Sequence, residues 1–113
     1  MAPLAGGGEP VGGALYEAAA DVVFSGHEHN YERFSPQDPQ GRVDPERGIR
    51  QFVVGTGGGG GEGPISDAIA NSEVRMDDID GVLKLTLHPE SYDWEFVPVE
   101  GESFTDSGAA QCH

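Results

Sequence analysis

Residues 21–33 read DVVFSGHEHNYER. Val22, Val23 and Phe24 are β-branched and aromatic, and Gly26 closes the run, which is the pattern of a short buried strand. Two histidines follow at once, His27 and His29, with one acid between them. In an extended segment they point the same way, with α-carbons about 6.6–7 Å apart from a rise of ~3.3–3.4 Å per residue. That span suits ligands for two adjacent metal ions ~3.5–4 Å apart at least as well as two ligands on one ion. Imidazole nitrogen suits zinc, iron, manganese, nickel and copper. A position just past the C-terminal end of a strand is also where open α/β sheets place their ligands. Gly26 is expected to turn the backbone and bring both rings to that lip. Taken alone, His-x-His fits two exposed loop histidines without function equally well.

Working outward, residues 1–13 read as a flexible lead-in, rich in glycine and proline. Residues 14–20, ALYEAAA, are good helix formers over about two turns. Downstream, residues 35–48 hold three prolines and two glycines among charges and read as a surface loop. Residues 49–57, IRQFVVGTG, form a second strand ended by the glycine run Gly57–Gly61. Residues 62–80 look irregular, with one helical turn near SDAIANS. In residues 82–88, Leu83, Leu85 and Leu87 alternate with Lys84, Thr86 and His88, the period of a strand with one buried face. Residues 91–99 repeat it, with Tyr92, Trp94 and Phe96 against Asp93, Glu95 and Val97. The short HPES connection predicts an antiparallel hairpin. The tail from Gly101 shows no pattern. Four strands and one short helix leave a sheet with little to cover it, so the chain reads as part of something larger.

Composition agrees with a loop-rich chain: 113 residues with eighteen glycines and eight prolines. Twenty acids against six bases give a net charge of −14, a field that repels nucleic acid and anionic membrane surfaces. No stretch of ~18 apolar residues suggests a membrane helix, and residues 1–13 lack the features of a signal peptide. Cys112 is the single cysteine and sets no disulfide framework.

The string Gly26, His27, Glu28, His29, Asn30, Tyr31, Glu32, Arg33 resembles the last signature of the calcineurin-like metallophosphoesterases, G-H-x-H. In the purple acid phosphatase branch of that superfamily it commonly continues through an aromatic residue into Glu-Arg. The strand before it, the GIRQFVVGTGG strand after it and the closing hairpin are similar to the family's as well, so the likeness runs over residues 14–113. The resemblance implies an α/β fold in which this chain is the C-terminal, β-rich part of an αββα sandwich, mostly short strands with long loops. It implies phosphoric ester hydrolysis at a dinuclear centre of two divalent or mixed-valence ions, Fe, Zn or Mn. His27 would bind one ion and His29 the other. Gly26, Asn30, Tyr31, Glu32 and Arg33 would support the ligand loop, against the plainer reading of an exposed Arg–Glu pair. The substrate would be a phosphate ester, and the parent protein would be secreted or periplasmic.

The same resemblance shows what is missing. The family's earlier D-x-H, G-D-x-x-D, G-N-H-[DE] and lone-histidine signatures are not in this chain, which has no Gly-Asp or Gly-Asn dipeptide and no histidine before His27. The chain is therefore expected to be inactive alone and to pair with an N-terminal half of the same domain. The alternative is a non-catalytic β-rich module holding at most one weakly bound metal. Two other features fail as motifs. GTGGGGGEG has no lysine followed by serine or threonine and is not a phosphate loop. DDIDG, residues 77–81, lacks the later ligands of a calcium loop.

Overall fold

In a computed structural model, which describes residues 9–60 and 69–113, the chain forms one short helix and seven strands. These are α1 (Glu9–Glu17), β1 (Val22–Ser25), β2 (Asn30–Phe34), β3 (Arg50–Val54), β4 (Ser72–Asp77), β5 (Gly81–Leu87), β6 (Ser91–Pro98) and β7 (Ser107–Gln111). They build two open sheets, one in the order β1-β3-β2-β4 and one in the order β5-β6-β7. The architecture is thus β-rich. Among the described residues no helix is long and apolar enough to cross a membrane.

The sheets face each other across an aromatic core. Tyr31, Phe52, Ile79, Tyr92, Trp94 and Phe96 are all buried there, with Leu83, Leu85 and Phe104 packed against them. Phe52 meets Trp94 edge-on at 5.5 Å between centroids, and Tyr31 meets Phe96 at 4.9 Å. Such tilted pairs add to the free energy of burying the rings themselves. The predicted hairpin is present as β5 and β6, paired antiparallel from Gly81–Pro98 to Leu87–Tyr92. Leu83 and Leu85 turn inward as the alternation requires, but Leu87 is 73% exposed because the core ends before it.

Three strands depart from the sequence reading. β2 occupies Asn30–Phe34, where loop-holding groups were expected, and lies between β3 and β4 in the middle of its sheet. β4 begins within the stretch read as irregular; residues 69–71 are a turn, and the rest of the expected helical turn lies outside the described residues. β7 arises in the patternless tail. Its small residues are required, because a β-carbon on Gly108 would lie 2.4 Å from the Trp94 ring. The helix also starts at Glu9, inside the segment read as a lead-in. Tyr16 ties it to the following loop, donating to Asp44 Oδ2 at 2.6 Å with the Arg47 guanidinium 4.7 Å over its ring.

β1 and β3 run parallel in register from Val22–Arg50 to Ser25–Val53. Their C-terminal ends therefore lie side by side, and the loops that leave them, residues 26–29 and 55–60, meet at one lip of the sheet. β1 is an edge strand with Phe24 42% exposed, whereas a buried strand was expected.

Candidate functional site

The sequence-predicted ligands stand at that lip. Residues 27–29 form a bend rather than an extended segment, and the left-handed residue is His27, with φ of 76°, not Gly26. A positive φ is costly for a residue with a β-carbon and is held only where its surroundings enforce it. His27 and Glu28 are exposed and His29 is half-buried. The bend is tied at its end, with Asn30 N donating to Glu28 O at 2.9 Å and Gly55 N donating to Asn30 O at 2.9 Å. Gly55 lies directly beneath it: a β-carbon there would sit 1.9 Å from the Glu28 carbonyl oxygen. His29 Nδ1 is 2.9 Å from the carbonyl oxygen of Gly60.

The remaining residues of the motif do different work. In β2 the side chains alternate between faces, so Tyr31 and Arg33 point into the interface between the sheets while Asn30 and Glu32 occupy the opposite face. Tyr31 OH donates to Asp106 Oδ2 at 2.6 Å, and Arg33 reaches both oxygens of the same carboxylate at 2.8 and 3.1 Å. Arg33 also pairs with Glu73, which accepts from Arg50 Nη1 at 2.7 Å. The two guanidiniums lie 5.1 and 5.0 Å from the Trp94 ring centre, a cation–π arrangement that shields them from water.

The charges are consistent with that geometry. Burial would raise the Asp106 carboxyl, but the hydrogen bonds from Arg33 and Tyr31 outweigh it and hold it below the usual carboxylate range. Tyr31 is pushed well above the ordinary phenol value by burial and by its bond to Asp106. Glu73 is lowered in spite of burial by Arg50, Ser35 and Arg33.

Glu32 and Arg33 do not pair with each other, and the exposed Arg–Glu contact that does form is Arg33 with Glu73. Glu32 is 3% exposed and faces Arg75 at 3.9 Å on the outer face of the sheet, away from Arg33. Asn30 is buried beneath the histidine bend, its backbone carbonyl bonded to the glycine loop. Asp106 is the residue that sequence reasoning missed, and its tail position offered no signal.

Whether these residues fit metal ions can be judged on their donors. Two imidazoles at one lip, one with its second nitrogen against a backbone carbonyl, have the chemistry of metal ligands and of the partner that commonly orients such a ligand. Among the described residues no three His, Cys, Asp or Glu side chains gather into a group able to hold an ion. The residues fit a share of a site.

Comparison with known proteins returns no matching family pattern, no matching curated protein and no matching solved structure. The functional reading therefore stands on the motif and on the geometry of the lip.

Proposed function

We propose that this chain supplies one share of a dinuclear metal centre for hydrolysis of phosphate esters, with His27 directed to one ion and His29 to the other. The observation that carries the reading is the placing of both motif histidines where two parallel strands end together. That is the position at which open sheets bind ligands, and it holds His27 in a strained backbone conformation of the kind that collects at functional sites. The ions, when bound, would clamp phosphate oxygens and supply a hydroxide from bound water. They would also reverse the sign of the local field, which a chain of net charge −14 otherwise sets against phosphate. Iron, zinc and manganese all accept imidazole ligands.

The other ligands, in this reading, come from a further stretch of polypeptide belonging to the same α/β sandwich. Two features support that partner. The outer edge of β1 has no described strand on it. Between β1 and β5 lies an apolar groove of about 510 Å³ lined by Phe24, Val54, Leu83 and Leu85. Parallel strands are normally covered on both faces, and an open edge beside an apolar groove invites a further strand.

The isolated chain is accordingly expected to turn over no p-nitrophenyl phosphate with added zinc, manganese or iron. A steady-state assay that finds robust turnover abolished by His29→Ala would show that the site is complete within these residues and overturn the shared-site reading.

A further inference from the structure

The outer face of the first sheet carries polar groups that the candidate centre does not use. Tyr31, Phe52, Val74 and Met76 turn toward the aromatic core. Alternation therefore puts Asn30 and Glu32 of β2, Gln51 of β3, and Arg75 and Asp77 of β4 on the opposite face. In register, Asn30 stands opposite Asp77 and Glu32 opposite Arg75. Opposed β-carbons lie about 4.5–5.5 Å apart, and Glu32 follows Asn30 along the strand by about 6.8 Å. Asn30, Glu32 and Gln51 are each 3% exposed. Asn30 Oδ1, Glu32 Oε2, Gln51 Oε1 and Asp77 Oδ1 are all buried and accept no hydrogen bond. Arg75 Nε lies 3.9 Å from Glu32 Oε2, an ion pair beyond hydrogen-bond reach. A buried acceptor without a donor is costly, more so when it is charged. Such groups are few in folded proteins, and each calls for an explanation such as an ion or a water.

We propose that Asn30, Glu32 and Asp77 form a calcium-binding site on the outer face of the first sheet. The site does not depend on the reading of His27 and His29 as ligands. Carboxylate and amide oxygens suit hard cations, whereas imidazoles suit zinc, iron and manganese. Two carboxylates and one amide face a common point between β2 and β4, and water completes the six to eight positions that calcium fills. Calcium accepts such irregular sets. Magnesium demands near-octahedral ligands and gives up its water reluctantly, so it fits a buried row less well. Charge agrees. Glu32 and Asp77 against Arg75 leave the row negative, in a chain of net charge −14 that draws cations to its surface. Gln51 lies too far along β3 to share the ion. The acidic stretch 77–81 failed as a calcium loop for want of later ligands in sequence. Here Asp77 finds its fellow ligands across the strand instead, on β2.

The test is a calcium chloride titration of the full 113-residue chain, free of other metals and at constant ionic strength, followed by ¹H–¹⁵N amide and side-chain amide spectra. Saturable shifts are expected at Asn30, Glu32 and Asp77, with a Kd of about 10⁻⁴–10⁻³ M, the range of weak calcium modules. Asp77→Asn keeps an oxygen and the side-chain shape but loses a charge, and should bind about 10-fold or more weakly. Glu95→Gln makes the same charge change at an exposed position of β6 and should bind as the parent chain does. Unsaturable shifts scattered over the acidic residues of the wild-type chain overturn the proposal, as does a Glu95→Gln protein weakened as much as Asp77→Asn. No wild-type response at the three residues by about 10 mM calcium overturns it as well and leaves the buried acceptors to water. Saturation by magnesium at lower concentration than by calcium overturns the choice of ion. The wild-type titration alone can sink the proposal, whether or not a variant folds.

Discussion

The string GHEHNYER divides into two regions of opposite character. His27 to His29 lie in a strained bend at the lip of the sheet, with His27 and Glu28 exposed and His29 half-buried. Asn30 to Arg33 lie in a central strand, with Tyr31 wholly buried and Arg33 locked to Asp106 across the sheet interface. Neighbours in sequence here have separate roles. The first half presents groups, and the second holds the two sheets together so that the presentation is rigid. The conformational strain of the bend is tolerable because the strand that follows it is anchored at several points. Removing an anchor should therefore cost more stability than removing either histidine side chain.

The largest effect is expected at Asp106. Asp106→Ala takes the acceptor from the Tyr31 hydroxyl and one of two carboxylate partners from the Arg33 guanidinium, which keeps Glu73, and losing these charge-assisted hydrogen bonds costs about 3 kcal/mol in all. Urea unfolding of the two proteins measures it, and a loss well under 1 kcal/mol would deny the anchor its role. The acid side of the stability profile gives a second reading of the same pair. The folded-state carboxyl is depressed, so its contribution is fully present above the ordinary carboxylate value of about 4 and is lost as pH falls through the lower folded value. Asp106→Asn should flatten that acid limb.

Next comes the contact between the two loops. Gly55→Ala drives a methyl group into the Glu28 carbonyl, and forced shifts of this kind cost about 1–3 kcal/mol. Thermal melts should show it, together with chemical-shift changes concentrated at His27 to Asn30. The smallest effects belong to the bend itself. His29→Ala, which removes the contact with the Gly60 carbonyl, should cost no more than about 1.5 kcal/mol, the upper worth of one hydrogen bond. His27→Gly should stabilise by about 1 kcal/mol through relief of the left-handed backbone, less the entropy that glycine adds to the unfolded chain. A large destabilisation from either would mean that the bend is a structural element and not a presenting one.

Legibility in the sequence followed the same division. The β5–β6 hairpin was readable because Leu83 and Leu85 alternate with polar residues and Tyr92, Trp94 and Phe96 do likewise. β2 was not, because it holds the buried Glu32 and the partly buried Arg33, whose placing depends on partners 43 and 73 positions away. In β4, Val74 and Met76 do alternate with Glu73, Arg75 and Asp77, but the pattern is short and follows an irregular stretch. β7 is built from Gly108, Ala109 and Ala110, small residues without an apolar signal of their own, and the bare α-carbon of Gly108 leaves the space that the Trp94 ring requires. At the candidate site, the two histidines were singled out by type and spacing, and that is all the sequence offers there. The glycine loop did not stand out, since glycine carries no side chain to read and its contact with the His29 ring shows only in the fold.

That His27 and His29 are metal ligands in a share of a larger site is tested most directly by zinc titration of the isolated chain, followed at the ring resonances of all four histidines. The His27 and His29 rings are predicted to respond to zinc, with affinity weaker than micromolar because two imidazoles leave most of the coordination sphere to water. Rings of both residues unmoved at millimolar zinc would contradict the assignment of ligands, and sub-micromolar binding at them would contradict the incompleteness of the site.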